Sequence, residues 1–330
     1  ICNYKKGIGG ISGQVEILQR HLREEGHTAE VFSTKGSFLW RLGLLFRLHR
    51  VAKDYEVLHI HCCSGWGFLP AVAGITTGRR LKRRVVLTYH GGGGERFFAK
   101  HTRIVKHYLS RTDTNIVLSG FLAETFEKHR LPYSVIPNIL ELDGHHFRLR
   151  SPLKPNYICT RAHEGLYNIH CILRAFQKVQ HELPEATLTL VGDGSQHAAL
   201  IQMANSMELK NVTFTGHVDN QAIYRHLGQA DILISAPIVD NMPVSLLEAM
   251  NAGLLVISSR VGGIPYMIDD GKTGLLFESD NDNELAVKML WAVEHPVEAG
   301  TIIQQAHNTV NNYHWENIRE KIYCSYGIPS

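Results

Sequence analysis

The sequence has no C-x-x-C pair, which removes the commonest redox and zinc-ribbon readings. Its six cysteines, Cys2, Cys62, Cys63, Cys159, Cys171 and Cys324, fall mostly in apolar stretches and read as buried free thiols of a reducing compartment. It is rich in histidine, with twenty. However, His145-His146 and His61-Cys62-Cys63 lack the paired spacing of a zinc site, so no metal centre is expected. No apolar run approaches the roughly 18 residues that span a bilayer. No signal-peptide pattern is present. The chain opens at Ile1-Cys2 in what reads as the middle of a strand, which leaves a start further upstream, and a targeting signal there, open. There is no internal repeat or low-complexity tract, and with a net charge of +3 no nucleic-acid partner is expected.

That small net charge hides an asymmetry. Residues 1–150 carry 23 Lys+Arg against 12 Asp+Glu, or +11; residues 151–330 carry 11 against 19, or −8. A basic half beside an acidic half predicts two domains with different partners, and 330 residues suffice for two cores. The basic half favours an anionic acceptor or a membrane surface, because its field concentrates anions.

Short β-rich runs alternate with helical patterns. Residues 57–61, 85–90, 115–119, 157–159, 187–191, 212–214, 232–234 and 255–257 read as strands; 13–25 and 169–181 read as helices. This alternation predicts parallel sheets built from crossover units, and more elements are present than one sheet holds. The Pro-punctuated segment 149–155 is the expected linker, giving domains over 1–150 and 151–312. Ligands of open parallel sheets sit beyond the C-terminal strand ends. The loops to search are therefore 7–10, 61–67, 90–94, 192–194 and 236–243.

The most informative stretch is 235–253. An apolar strand enters a loop containing Asp240, Asn241 and Met242, and Pro243 then suits the first turn of a helix, where a missing N–H costs nothing. The amides of Val244, Ser245 and Leu246 would then be free at a helix N-terminus, a ready diphosphate site. Glu248, one turn further in, can accept from vicinal ribose hydroxyls. Asp240 can meet hydroxyls of a transferred sugar.

This stretch resembles the acid-x7-acid motif of retaining glycosyltransferases of the large group 1, or family 4, type, which includes many bacterial cell-surface polysaccharide and glycolipid enzymes. Here the acids are Asp240 and Glu248, with Asn241 where Gly is common. Other pieces follow the family's order over nearly the whole chain. They are the glycine loop from Gly7 to Gly13, Gly26-His27, Thr88-Tyr89-His90-Gly91, Ile136-Pro137-Asn138, Val191-Gly192-Asp193-Gly194, Phe214-Thr215-Gly216-His217-Val218, Val261-Gly262-Gly263-Ile264-Pro265 and Asp270-Gly271-Lys272-Thr273-Gly274.

The resemblance implies an α/β protein of the GT-B fold, two Rossmann-like doubly wound domains facing across a cleft. A last helix, over about 313–330, would rejoin the N-terminal domain. The N-terminal domain would take a sugar or lipid-linked acceptor. The C-terminal domain would hold a nucleotide-sugar donor, UDP- or GDP-linked, through Gly192, Val218, Arg161, the 241–246 segment and Glu248, with Gly9 and Gly10 approaching its phosphates. Asp240, His90 and Arg161 are the expected catalytic residues, His61 being a weaker candidate beside His90. The enzyme would be a metal-independent hexosyltransferase of the EC 2.4 class that retains anomeric configuration, needs no cofactor, and is cytoplasmic or peripheral on the inner face of the plasma membrane. No carboxylate nucleophile stands out, so same-face attack is favoured, with the leaving diphosphate helping to take the acceptor proton.

Some features depart from the pattern or compete with it. The family's phosphate clamp has an Arg followed by Lys-Gly. Here Arg161 fits the Arg, Tyr167 or Asn168 stands at the Lys place, and Lys5, Lys6 and Arg260 are candidate replacements. Gly7-x-Gly9-Gly10-x-x-Gly13 with Glu30 imitates a dinucleotide fingerprint, but Lys5-Lys6 precedes it and a nicotinamide would leave the C-terminal motifs purposeless. Asp280-Asn281-Asp282 mimics a metal-binding D-x-D but reads as a helix cap. Segment 38–53 is apolar around most of a helical wheel, with Gly43, Arg47 and Arg50 in a narrow polar stripe. With the basic run 79–84 it predicts membrane contact. The competing functions are a nucleotide-sugar epimerase of the same fold, which would need no acceptor, and a non-catalytic module binding nucleotide sugar or membrane.

Overall fold

The computed structural model describes residues 1–5, 10–36, 43–141 and 147–328. Two compact units are present, Ile1–Glu141 with Tyr313–Ser330, and Leu142–Asn312.

The first unit is built on a parallel sheet ordered β1-β2-β3-β4: β1 (Val57–Cys62), β2 (Arg84–Tyr89), β3 (Thr114–Val117) and β4 (Ser134–Val135). The chain start runs beside β1, where His61 N–H donates to the Ile1 carbonyl (2.9 Å) and Cys2 bridges Ser33. Helices connect the strands: α3 (Leu69–Leu81) after β1, α4 (Gly94–Lys100) and α5 (Thr102–Leu109) after β2, and α6 (Gly120–Lys128) after β3. α1 (Ile11–Glu24) and α2 (Leu44–Ala52) precede the sheet. The last helix, α13 (Trp315–Tyr326), packs Trp315, Ile318 and Ile322 against Leu18, Val86, Ile116 and Ile136. Its orientation is fixed by Glu25, which accepts from Trp315 Nε1 at 2.7 Å and from the Tyr323 hydroxyl.

The second unit holds six parallel strands in the order β10-β9-β8-β5-β6-β7: β5 (Asn156–Cys159), β6 (Thr187–Val191), β7 (Val212–Gly216), β8 (Ile232–Ser235), β9 (Leu255–Ser259) and β10 (Leu275–Phe277). Every residue of β8, β9 and the edge strand β10 is buried, as expected of parallel strands covered on both faces. The connecting helices are α7 (Ile169–Glu182), α8 (His197–Ser206), α9 (Asn220–Gln229), α10 (Val244–Asn251), α11 (Asp282–Glu294) and α12 (Pro296–Val310). α7 buries Ile169, Ile172, Leu173, Phe176 and Val179, the spacing of one helical face.

The eight strand readings each fall on a strand; the two-residue β4 and three-residue β10 were too short for a pattern. The linker reading needs correction. Segment 149–155 belongs to the second unit, and the division falls after Glu141 rather than after residue 150. The reason is Arg150, whose side chain is 1% exposed and donates to the carbonyls of Ala230 (2.7 Å), Leu227 (2.9 Å) and Ala252 (2.5 Å). It also faces Asp231 at 3.4 Å. Burial pulls its pKa down to about 10, against the opposing pull of Asp231. A single guanidinium thus gathers the ends of α9 and α10 onto what the sequence presents as a connector. Arg150→Ala removes a buried donor set from the carbonyls of Ala230, Leu227 and Ala252, while Asp231 keeps Arg148 (2.9 Å) and the Lys154 amide (2.7 Å). We expect it to cost about 1–3 kcal/mol, read as a lowered urea midpoint at unchanged slope.

Candidate active site

In the second unit the chain runs from β5 outward through β6 and β7, then returns to the other side of β5 as β8, β9 and β10. Loops after β5 and β8 therefore leave in opposite directions and open a crevice at the point where strand order reverses. Several of the sequence-predicted residues gather here. Arg161 stands just past β5 and Asp240 in the loop after β8. Arg161 Nη2 donates to the Asp240 carboxylate, and Nη1 donates to Ser245 Oγ at 3.0 Å. The pair is shielded, the two side chains being 11% and 16% exposed.

Neighbouring loops hold this arrangement. The Ile238 amide donates to the Leu166 carbonyl (2.9 Å), tying the loop after β8 to the loop after β5. The Gly263 amide donates to the Asp240 carbonyl (2.9 Å). Gly262 has φ +52°, and a Cβ there would strike the same carbonyl, so the turn after β9 requires glycine to approach Asp240. Gly192, at φ +144°, lies against the Arg161 carbonyl in the same manner.

α10 begins one residue later than the sequence suggests. Pro243 is its N-cap, with an extended ψ of 113°, not a first-turn residue. Leu246 donates to the Pro243 carbonyl at 3.2 Å, so its amide is taken up by the helix and does not join the free set. The N–H groups of Val244 and Ser245, the first two helical residues, have no intrahelical acceptor by position. Ser245 therefore presents an amide as well as a hydroxyl beside Arg161. Asn241 and Met242 are buried just before the helix, and Leu246 faces the core.

Glu248 lies one turn into α10 and is half-buried. Desolvation raises its carboxyl from 4.5 to about 7, opposed by the charge of Arg161. A carboxylate held against its hydration is poised to accept from hydroxyl donors. Val218 stands past β7, at the edge of the sheet and two strands away from β5. The structure thus assembles Arg161, Asp240, Ser245, Glu248 and Gly192 at one crevice.

Two features of this crevice were not read from the sequence. The guanidinium carbon of Arg161 lies 4.0 Å from the centre of the Tyr167 ring, at the place of the family's second cation. Among the candidate replacements, Arg260 is engaged by Asp270 and by Glu278 (3.4 Å), Lys5 belongs to the first unit, and Lys6 lies outside the described residues. The second feature is the 261–263 turn holding Asp240; its double glycine was the available signal.

In the first unit, His90 follows β2 and its amide donates to the Cys62 carbonyl (2.8 Å). Its Nε2 is 3.0 Å from His61 Nδ1, and the His61 ring lies 4.2 Å from that of His59. His59 is itself fixed between Tyr326 OH (2.7 Å) and Thr88 Oγ1 (2.8 Å). Burial lowers all three imidazoles, His90 to about 4 and His59 to about 3, so they are neutral near pH 7. Gly10, at φ +69°, is the N-cap of α1; Gly9 lies outside the described residues. His145 and His146 also lie outside them. Asp280 and Asp282 are taken up by Arg174 (2.6 and 3.1 Å), and Asn281 caps α11 by accepting from Glu284 N–H (3.1 Å).

Residues 145–309 match the model of the glycosyl transferases group 1, and residues 32–143 match that of Glycosyltransferase Family 4. The chain belongs to the group 1 glycosyltransferases. It is 26% identical over 257 residues to the N-acetyl-alpha-D-glucosaminyl L-malate synthase of Bacillus anthracis, covering 72% of this chain and 65% of that protein. The chain thus spans just under two thirds of that relative's length. Among solved structures, it resembles Anabaena HepE in complex with UDP-glucose (TM-score 0.76, 18% identity, 94% of this chain and 89% of that one). It also resembles the sucrose-phosphate synthase of Thermosynechococcus elongatus (TM-score 0.81, 18% identity, 99% and 94%). With the two parallel sheets, these likenesses establish the GT-B fold of this glycosyltransferase-family chain.

The Glu248 carboxyl supplies a test that needs no substrate. Its folded pKa, about 7, exceeds its ordinary 4.5, so the bound proton stabilises the fold. That contribution is complete below pH about 4.5 and is lost as pH rises through about 7. Glu248→Gln is exempt from the loss. Urea denaturation should therefore show the variant gaining on the parent by about 1–3 kcal/mol between pH 5 and pH 8.

Proposed function

We propose that this chain transfers a hexosyl group from a nucleoside diphosphate donor to an acceptor hydroxyl, with retention of anomeric configuration. The observation that carries this reading is the Arg161–Asp240–Ser245 constellation at the strand-order reversal, beside the N-terminus of α10 and one turn from Glu248. A helix N-terminus with a guanidinium at its side favours a diphosphate, because amides and a bidentate cation both point at oxygen. Glu248 would accept from the ribose hydroxyls, and Asp240 from the transferred sugar. UDP is the favoured nucleotide, since HepE was solved with UDP-glucose.

In the reaction, the bond from the anomeric carbon to the β-phosphate oxygen breaks and a bond to the acceptor oxygen forms on the same face. The acceptor proton passes to the leaving phosphate oxygen. Charge grows on that phosphate, and Arg161 with the Val244 and Ser245 amides stabilises it, the work a divalent metal does in the other common glycosyltransferase fold. His90, neutral and held by His61, would orient the sugar or the acceptor hydroxyl.

Loss of such a donor costs about 2.7–4 kcal/mol, or 10²–10³ in turnover. Arg161→Ala and Glu248→Ala should each lower release of UDP from UDP-sugars, in a donor panel with and without acceptor sugars, by at least tenfold. Unchanged rates in either variant would overturn the assignment. Turnover of donor without acceptor into an epimeric sugar would favour the epimerase reading.

For the acceptor, we propose a sugar or lipid-linked molecule at the inner face of the plasma membrane, in polysaccharide or glycolipid synthesis. α2 buries Leu44, Leu48 and Ala52 but leaves Leu45 (43%) and Phe46 (73%) exposed beside Arg50, and Arg79 to Arg84 lie in the same unit. An apolar face flanked by cations suits an anionic interface; the residues of this segment up to Arg41 and Leu42 lie outside the described ones. Phe46→Asp should reduce sedimentation with anionic vesicles severalfold and leave neutral vesicles unaffected. Equal sedimentation of parent and variant would remove the membrane proposal.

A further inference from the structure

We propose that Tyr167 is the positioning residue of the phosphate clamp: its ring, in place of a second cation, holds Arg161 toward the donor diphosphate. This inference rests on the donor-site reading above and names how this chain completes that site.

The geometry accounts for one face and both terminal nitrogens of the guanidinium. One face lies over the Tyr167 ring at 4.0 Å, the arrangement in which an aromatic quadrupole attracts a cation. Its two terminal nitrogens are tied in plane, one to Ser245 Oγ at 3.0 Å and the other to Asp240. The group is thereby fixed in both tilt and rotation beside the first amides of α10. The backbone that carries the ring is held in turn. Tyr167 ends a short 3-10 turn over Gly165–Tyr167, its amide donates to the Glu164 carbonyl (2.9 Å), and the Leu166 carbonyl accepts from Ile238 (2.9 Å). The turn that carries the aromatic is therefore tied to the loop that carries Asp240.

Charge explains why an aromatic serves here. Arg161 is shielded and already paired with Asp240, which offsets its charge. A diphosphate must compete with Asp240 for Arg161. A guanidinium free to swing would follow the carboxylate; one stacked on a fixed ring stays at the helix end while its in-plane partners exchange. Stacking also spares a second buried cation, whose desolvation would have to be offset when no ligand is bound. The clamp so built depends on one charge and its orientation, and the side chain that orients it is neutral.

The test uses the full chain and titration calorimetry with UDP, GDP and ADP as probes, on the parent, Tyr167→Phe, Tyr167→Leu, Arg161→Ala and the Arg161→Ala/Tyr167→Leu double variant. Tyr167→Phe keeps the ring and should bind within about threefold of the parent. Tyr167→Leu should weaken the tightest nucleotide by about tenfold, and the double variant should bind no more weakly than Arg161→Ala alone, because Tyr167 acts only through Arg161. Should Tyr167→Leu fail to fold, Tyr167→Gln takes its place with the same expectations. Parent-like binding by Tyr167→Leu overturns the inference, as does a Tyr167→Phe variant as weak as the leucine, or a double variant weakened by the product of the single effects. If Arg161→Ala binds as well as the parent, or the parent binds none of the three, the donor-site reading falls and this inference with it. If Arg161→Ala weakens binding while Tyr167→Leu does not, only the role of Tyr167 falls.

Discussion

Much of the second unit's chemistry depends on one guanidinium held between two diverging loops. Strand order reverses between β5 and β8, so their loops separate by topology, and beside the Ile238–Leu166 backbone hydrogen bond they are joined by a side-chain link. Arg161 supplies it, reaching from the end of β5 to Asp240 and Ser245 beyond β8. The glycines are placed where this link needs backbone to come close: Gly262 under Asp240 and Gly192 under Arg161. Glu248 feels the same charge, which opposes the desolvation that raises its carboxyl.

Arg150 plays the comparable structural part at the opposite ends of the strands. It is almost fully buried and satisfied by three carbonyls and Asp231, so it fixes the entry of the chain into the second unit while Arg161 shapes the crevice. A buried guanidinium suits both places because its donors are planar and fixed in direction. One difference decides their roles. Arg150 spends its hydrogen bonds on backbone carbonyls, which cannot be displaced. Arg161 spends two of its donors on side chains, which a ligand can replace.

The first unit solves another problem. Its histidines lie in a row along β1 and at the end of β2, and each passes a hydrogen-bonding role to the next or to Tyr326 and Thr88. Burial keeps them neutral, and with Nε2 engaged by His61, His90 has only its Nδ1 left for whatever approaches it. The helix carrying Tyr326 comes from the far end of the chain, which ties this row to the closing of the unit.

The sequence by itself determined the repeated strand–helix alternation, the positions of eight strands, the glycosyltransferase resemblance and the identity of Arg161, Asp240 and Glu248 as the residues to examine. These are local: periodicity, turn chemistry and motif spacing are carried by neighbours along the chain. Tertiary structure alone decided that Tyr167 faces Arg161, that Gly262 supports Asp240, that His61 holds His90, and that Arg150 draws the expected linker into the second unit. Each of these joins loops or strands whose distance in sequence says nothing of their distance in space. Only the sheet order, set by how the apolar strands bury against one another, brings them together.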